Sequence, residues 1–201
     1  MKKLLLVLTL CIASTSILLA NCPLKYGIIG GVNINKENRT GFSATDGLLG
    51  YHFGVQAEYF LKNNIYFSSS LLFIQKGSKI DTTMPEDNTP LTIKKRNHYL
   101  EIPIHVGYKW NMSQNFALLG SVGPYIGVGL FGKQKGSQGT TVNLYKHEGD
   151  KRFEMGFSSN INIQIYEHYR FGVGYHHAFT NAQKWTGDEN RNITFSLSYI
   201  F

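Results

Sequence analysis

Seven residues of this chain carry acid, base or charge chemistry inside segments of alternating polarity: His52, Glu58, Glu101, His105, Lys109, Glu154 and His176. Their immediate neighbours are mostly apolar and their next neighbours mostly small or polar, so all seven fall on the polar side of extended segments. Imidazoles and carboxylates enclosed together can move protons, answer to a ligand or activate a hydroxyl. The same groups can also satisfy one another. Because buried charges need partners, the first expectation is an interior network of ion pairs and hydrogen bonds; a proton- or ligand-responsive gate and an active site are the functional alternatives.

Nucleophilic catalysis needs a serine with a base in hydrogen-bond reach and a third group to orient the base. Serine, histidine and glutamate are all present, but no spacing matches the His-x-Ser strand arrangement of lipid A deacylases. His176 and His177 are adjacent, so on a strand they point to opposite faces and make a poor metal pair. Gly132 to Gly139 lacks the Gly-Lys-Ser/Thr end of a phosphate loop. The chain is therefore expected to be non-enzymatic, with no catalytic residue, metal site or cofactor.

The elements that position these residues are strands. From Asn192 to Phe201, where the sequence ends, Ile193, Phe195, Leu197, Tyr199 and Phe201 alternate strictly with Asn192, Thr194, Ser196 and Ser198. A period of two means one apolar and one polar face. The same pattern recurs over 25–35, 50–61, 65–75, 99–110, 116–130, 153–165 and 169–180, the register of 65–75 being uncertain by one residue because Leu71 to Ile74 are all apolar. This predicts eight strands. Short turns near Lys62–Asn64, Asn111–Asn115 and Glu167–His168 alternate with long connections at 36–49, 76–97, 132–150 and 181–191. Outer-membrane barrels have that asymmetry, with short periplasmic turns and longer external loops.

Residues 1–20 read as a secretory signal peptide, from Lys2 and Lys3 through an apolar run to small residues near Ala20, and leave 21–201 as one domain. Without Lys2 and Lys3 the 20 basic residues become 18 against 13 acids, a mild excess of about +5. Cys11 lies in the signal, so Cys22 has no partner for an internal disulfide. A free thiol is the expectation for Cys22, with lipidation the alternative.

Alternation alone does not say which face is outside. The polar positions are mostly Gly, Ser, Asn and Gln, as suits a narrow interior, whereas Lys76, Lys79, Lys94, Lys95, Arg96, Lys133, Lys135, Lys146, Lys151 and Arg152 sit in the long connections. Aromatics gather at the short-turn ends. Tyr59, Tyr108, Trp110, Tyr169, Tyr199 and Phe201, with Phe60 and Tyr66 among others, read as an interfacial girdle, and Tyr51, Phe73, Phe131, Phe153 and Phe179 as a thinner set at the loop side. The expected fold is thus an all-β, eight-stranded antiparallel up-and-down transmembrane β-barrel in the bacterial outer membrane, of structural, surface-interaction or secretion-accessory type. A narrow channel for small solutes and a soluble periplasmic lipocalin-like carrier of apolar ligands are the alternatives. Expected partners are outer-membrane lipids and an envelope protein met through the long loops; the oligomeric state is not assigned and nothing suggests nucleic acid. Lys94, Lys95 and Arg96 with Lys151 and Arg152 could meet lipid phosphate, although nearby Asp81, Glu86, Asp87, Glu148 and Asp150 make an ordinary solvated loop the simpler expectation.

The string Tyr99-Leu100-Glu101-Ile102-Pro103-Ile104, followed by Gly107, Tyr108 and Lys109, resembles the most characteristic strand of the PorT-like outer-membrane β-barrel family. The looser matches are the opening Gly-rich strand, Gly123-Pro124-Tyr125 and Gly172 to Tyr175. The resemblance implies an eight-stranded outer-membrane barrel; some relatives assist secretion, and no functional residue carries over. Pro103 lacks an N–H, so a bulge or a locally unpaired position is expected there, with room for a polar cluster beside Glu101 and His105.

Overall fold

The computed structural model describes residues 24–38, 45–83, 90–136, 141–144, 152–180 and 189–201. The signal segment, Cys22, and the loop residues Glu86, Asp87, Lys146, Glu148, Asp150 and Lys151 lie outside them. Among the described residues the strands are β1 (Leu24–Asn38), β2 (Thr45–Phe60), β3 (Ile65–Thr83), β4 (Pro90–Ser113), β5 (Phe116–Gly136), β6 (Thr141–Leu144), β7 (Phe153–Ile165), β8 (Tyr169–Ala178) and β9 (Glu189–Ile200). All pairings are antiparallel, β4 pairs β5 and β1 pairs β9, so eight strands close on themselves while β6 lines the upper edge of β5. Closure removes every sheet edge from the lipid, which is what a spanning sheet requires.

The apolar face is outside. Ile28, Val32, Phe53, Val55, Ile104, Ile161, Val173 and Leu197 are each at least 46% exposed, and they belong to one continuous belt. Such a surface on a water-soluble carrier would be an aggregation hazard; here it is the lipid contact. The polar alternates Glu58, Glu101, His105, Glu154, Gln164 and Asn192 are buried inside.

Four details differ from the sequence reading. First, residues 76–83 and 90–97 are strand rather than polar loop: β3 and β4 stay paired from Gln75 and His98 up to Thr83 and Pro90. A ladder is made by the backbone, and it continues where side-chain polarity stops alternating. Second, the Gly-rich segment after Gly132 carries β5 on to Gly136 and pairs with β6. Third, the register of β3 turns Leu72 and Ile74 inward, and with them Tyr66, which is only 2% exposed and stacks on the half-buried Phe60 at 5.3 Å. Tyr66 and Phe60 are thus core rather than girdle. Gly107 makes the room, since a Cβ there would lie 2.5 Å from the Tyr66 ring. Fourth, the last short turn comes one residue early, at 166–168, with positive φ at Tyr166 and Glu167.

At Pro103 the strand is unpaired toward β3 without a bulge, while toward β5 Pro103 stays in register with Tyr125. The β3–β4 ladder passes from Ser69 and Ile104 to Leu72 and Glu101 in unchanged register, and Ser69 Oγ donates to the Pro103 carbonyl at 3.0 Å in the gap. Register shifts lie elsewhere: near Gly47 in β2 and at the His98–Tyr99 step facing β5, where the wall rises out of the barrel, and at Asn111–Ser113 beside the short turn.

Candidate functional site

The interior is built from three polar layers. Nearest the short turns, Arg170 on β8 reaches across the lumen to Glu58 on β2 through two hydrogen bonds, Nη2 donating to Oε2 at 2.8 Å and Nη1 to Oε1, while its Nε donates to Gln164 at 2.9 Å. Both charged side chains are almost wholly buried. A bidentate guanidinium–carboxylate pair is the geometry that best repays such desolvation. Tyr66, Ala117 and Leu119 pack as an apolar cluster beside it in the same interior.

In the middle lies a cavity of about 60 Å³, lined in part by His52, Pro103, His105, His176, Ser121 and Ser196. That space holds a few waters at most. His52 Nε2 is 2.9 Å from Ser196 Oγ, His105 Nε2 is 2.7 Å from Ser158 Oγ, and Asn160 Nδ2 stands 3.3 Å from His105 Nδ1. Hydroxyl, imidazole and amide are therefore in the order of a nucleophile, its base and an orienting group, an arrangement invisible in the linear spacing because the three come from β4 and β7. Ser158 is 1% exposed.

The third layer lies toward the long loops and centres on Lys76. Its Nζ is 2.5 Å from Glu154 and 2.7 Å from Glu101, and it lies over the rings of Tyr125 and Tyr99 at 4.8 and 5.4 Å. Tyr125 OH donates to Glu154 at 3.0 Å, Asn190 Nδ2 donates to the other Glu154 oxygen at 2.5 Å, and His176 Nδ1 is 2.9 Å from Glu101. Five strands, β3, β4, β5, β7 and β8, meet β9 through this cluster.

The structure thus unites Glu101, Glu154 and His176 and places His52 and His105 beside serines. Glu58 pairs with Arg170, and Lys109 lies at the rim with its Nζ 5.8 Å from the Phe60 ring centre. Sequence reasoning passed over Arg170 and Tyr125 as interior groups and set Lys76 in a long connection, whereas it is buried in the lumen. The parity of Gly172 and Gly174 places Arg170 inside, and that of Gly123 and Gly127 places Tyr125 there. Lys76 was legible only to a reader who extended β3 past Gln75. Tyr59, Tyr108, Trp110, Tyr169, Tyr199 and Phe201 are all exposed on the outer face at the short-turn end.

The second feature of the molecule is a wall. β3, β4 and β5 have 19, 24 and 21 residues against 10 in β8. A spanning strand needs only about 9–11 residues, so this side stands far above the apolar belt.

The family model for the outer membrane protein beta-barrel domain matches residues 20–184. Among solved structures, the Neisserial surface protein A superposes with a TM-score of 0.51 at 8% identity, over 88% of this chain and 97% of that one. Ail of Yersinia pestis gives 0.49 at 12% identity over 88% and 98%, and OprG of Pseudomonas aeruginosa gives 0.45 at 10% over 90% and 97%. No curated protein matches the chain.

Proposed function

The chain belongs to the outer membrane protein beta-barrel domain family, a small β-barrel of the bacterial outer membrane, and from that premise we propose that it is a closed, non-catalytic barrel that works by what its outer wall holds. The observation that carries this reading is the filled lumen. The Arg170–Glu58 pair near the short turns and the Lys76–Glu101–Glu154 cluster near the loops each cross the interior, and the cavity described between them measures about 60 Å³. A solute channel needs a continuous water path, which two such layers interrupt. An enzyme needs its hydroxyl to meet substrate, which the burial of Ser158 opposes. Structure is then concentrated in the external β3–β4–β5 extension, and a surface-interaction role fits it best. The Tyr99–Ile104 string supports placing the chain in the PorT-like branch of such barrels.

Planar-bilayer recording tests the reading. The wild-type protein is expected to give no discrete conductance steps, and Arg170→Ala combined with Lys76→Ala to produce them. Steps of uniform size from the wild-type protein overturn the closed barrel.

A further inference from the structure

The outer face of the wall carries four basic residues in a square. Arg96 pairs in register with Lys133, and Lys94 with Lys135. All four side chains are exposed. Directly opposed residues on a sheet are about 5 Å apart and alternate residues on a strand about 7 Å, so four positive charges occupy a patch little larger than one head group. Like charges directly opposite each other are destabilising. The square is also undiluted on one side, where β6 sets Asn143 beside Lys133 and Thr141 beside Lys135. On the other side Gly77 lies beside Arg96 and Lys79 beside Lys94.

The height of the square in the membrane follows from the rung below it. His98 and Phe131 are in register one rung down, their rings stacked at 4.4 Å, with Phe73 at 5.6 Å from His98 and Phe53 at 5.2 Å from Phe73. Outward-facing aromatics of this kind mark the interface between hydrocarbon and head groups. Two residues of tilted strand add about 5 Å. The four charges therefore stand at the depth of the head groups on the outer side.

We propose that Lys94, Arg96, Lys133 and Lys135 form a binding site for the phosphate groups of an outer-leaflet lipid, with the Phe73–His98–Phe131 shelf lying along the start of its acyl region. A phosphate monoester carries roughly −1.5 to −2 charges near neutral pH, so a lipid with two phosphates matches the square. Arg96 supplies planar, bidentate recognition and the lysines supply point charges. This site gives a ligand class to the wall on which the surface-interaction reading rests.

The test uses full-length protein in nonionic detergent, titrated with bis-phosphoryl lipid A and with the same lipid after dephosphorylation. The wild-type protein should prefer the phosphorylated lipid by roughly tenfold or more, and added salt should erode the preference. Replacing all four residues by Gln should abolish the preference while the heat-dependent gel shift of the folded barrel persists. If that variant does not fold, Arg96→Gln with Lys133→Gln should still remove a large part of it, and Arg96→Lys, which keeps the charge but not the bidentate fork, a smaller part. Equal binding of the two lipids by the wild-type protein overturns the proposal, as does a preference that survives the substitutions. Tighter, square-dependent binding of soluble heparin than of phosphorylated lipid also overturns it, assigning the site to a soluble polyanion. The titration is blind to conductance, so its failure and that of the closed-barrel reading are separate results.

Discussion

At the scale of single residues the interior is governed by who pairs with whom. Glu58 pairs with Arg170, and both are buried. Removing one partner of such a pair leaves an uncompensated charge away from water, whereas removing both leaves none. Arg170→Ala is therefore expected to destabilise the folded barrel by about 3–5 kcal/mol, read as a lower urea midpoint for loss of the compact gel form. Glu58→Gln with Arg170→Met should recover most of that loss, and equal midpoints for the single and double variants would rule the pair out as the cause. This residue scale was half legible in the sequence. Parity alone assigned Glu101, Glu154, His105 and His176 to the inside, because alternation is a local property. Which carboxylate met which cation was not legible, since Lys76 comes from a stretch whose hydropathy no longer alternates, and Lys109, the obvious partner for Glu58, stops at the rim.

At the scale of elements, strand, turn and gap are set by small residues placed opposite large ones. Tyr125 turns inward on β5 and fits because its cross-strand neighbour on β7 is Gly156, where a Cβ would sit 2.6 Å from the tyrosine ring and 2.2 Å from the His177 carbonyl. Gly156→Val is expected to push Tyr125 away from Glu154 and loosen the Lys76 cluster, costing about 1–3 kcal/mol as overpacking does. A thermal-melting midpoint equal to that of the wild-type protein would contradict this packing. The short hairpin ends obey the same economy: Asn63 and Asn64 take φ of 67° and 63°, a conformation asparagine tolerates well. Those asparagines were readable as a turn. The Tyr166–Glu167 turn was misplaced by one residue because neither residue type advertises positive φ. The tall wall was missed for a related reason, since backbone pairing of β3 with β4 leaves little trace in the hydropathy of Lys76 to Asn97.

At the scale of the whole molecule, one surface faces hydrocarbon and the other faces a packed polar core. Ile161, 63% exposed and midway along β7, lies near the middle of the belt. Ile161→Arg should cost about 2–4 kcal/mol of membrane-inserted stability, whereas the inward substitution Asn162→Ser should be nearly neutral. Membrane fractionation of the two variants checks the ranking, and the reverse order would invert the faces. The belt was the most legible property of the sequence, because eight alternating segments repeat one environment. Every pairing that builds it, except one, joins strands adjacent in the chain or separated only by the short β6. The exception is the seam between β1 and β9, held at its lower end by the Phe201 N–H donating to the Tyr26 carbonyl at 2.8 Å. The hairpins can form in any order from local encounters, but the seam must bring together segments separated by nearly the whole sequence, at the greatest entropic cost. Time therefore has a direction in this fold: the ring is shut last, and until then the growing sheet keeps two open flanks that the bilayer cannot solvate.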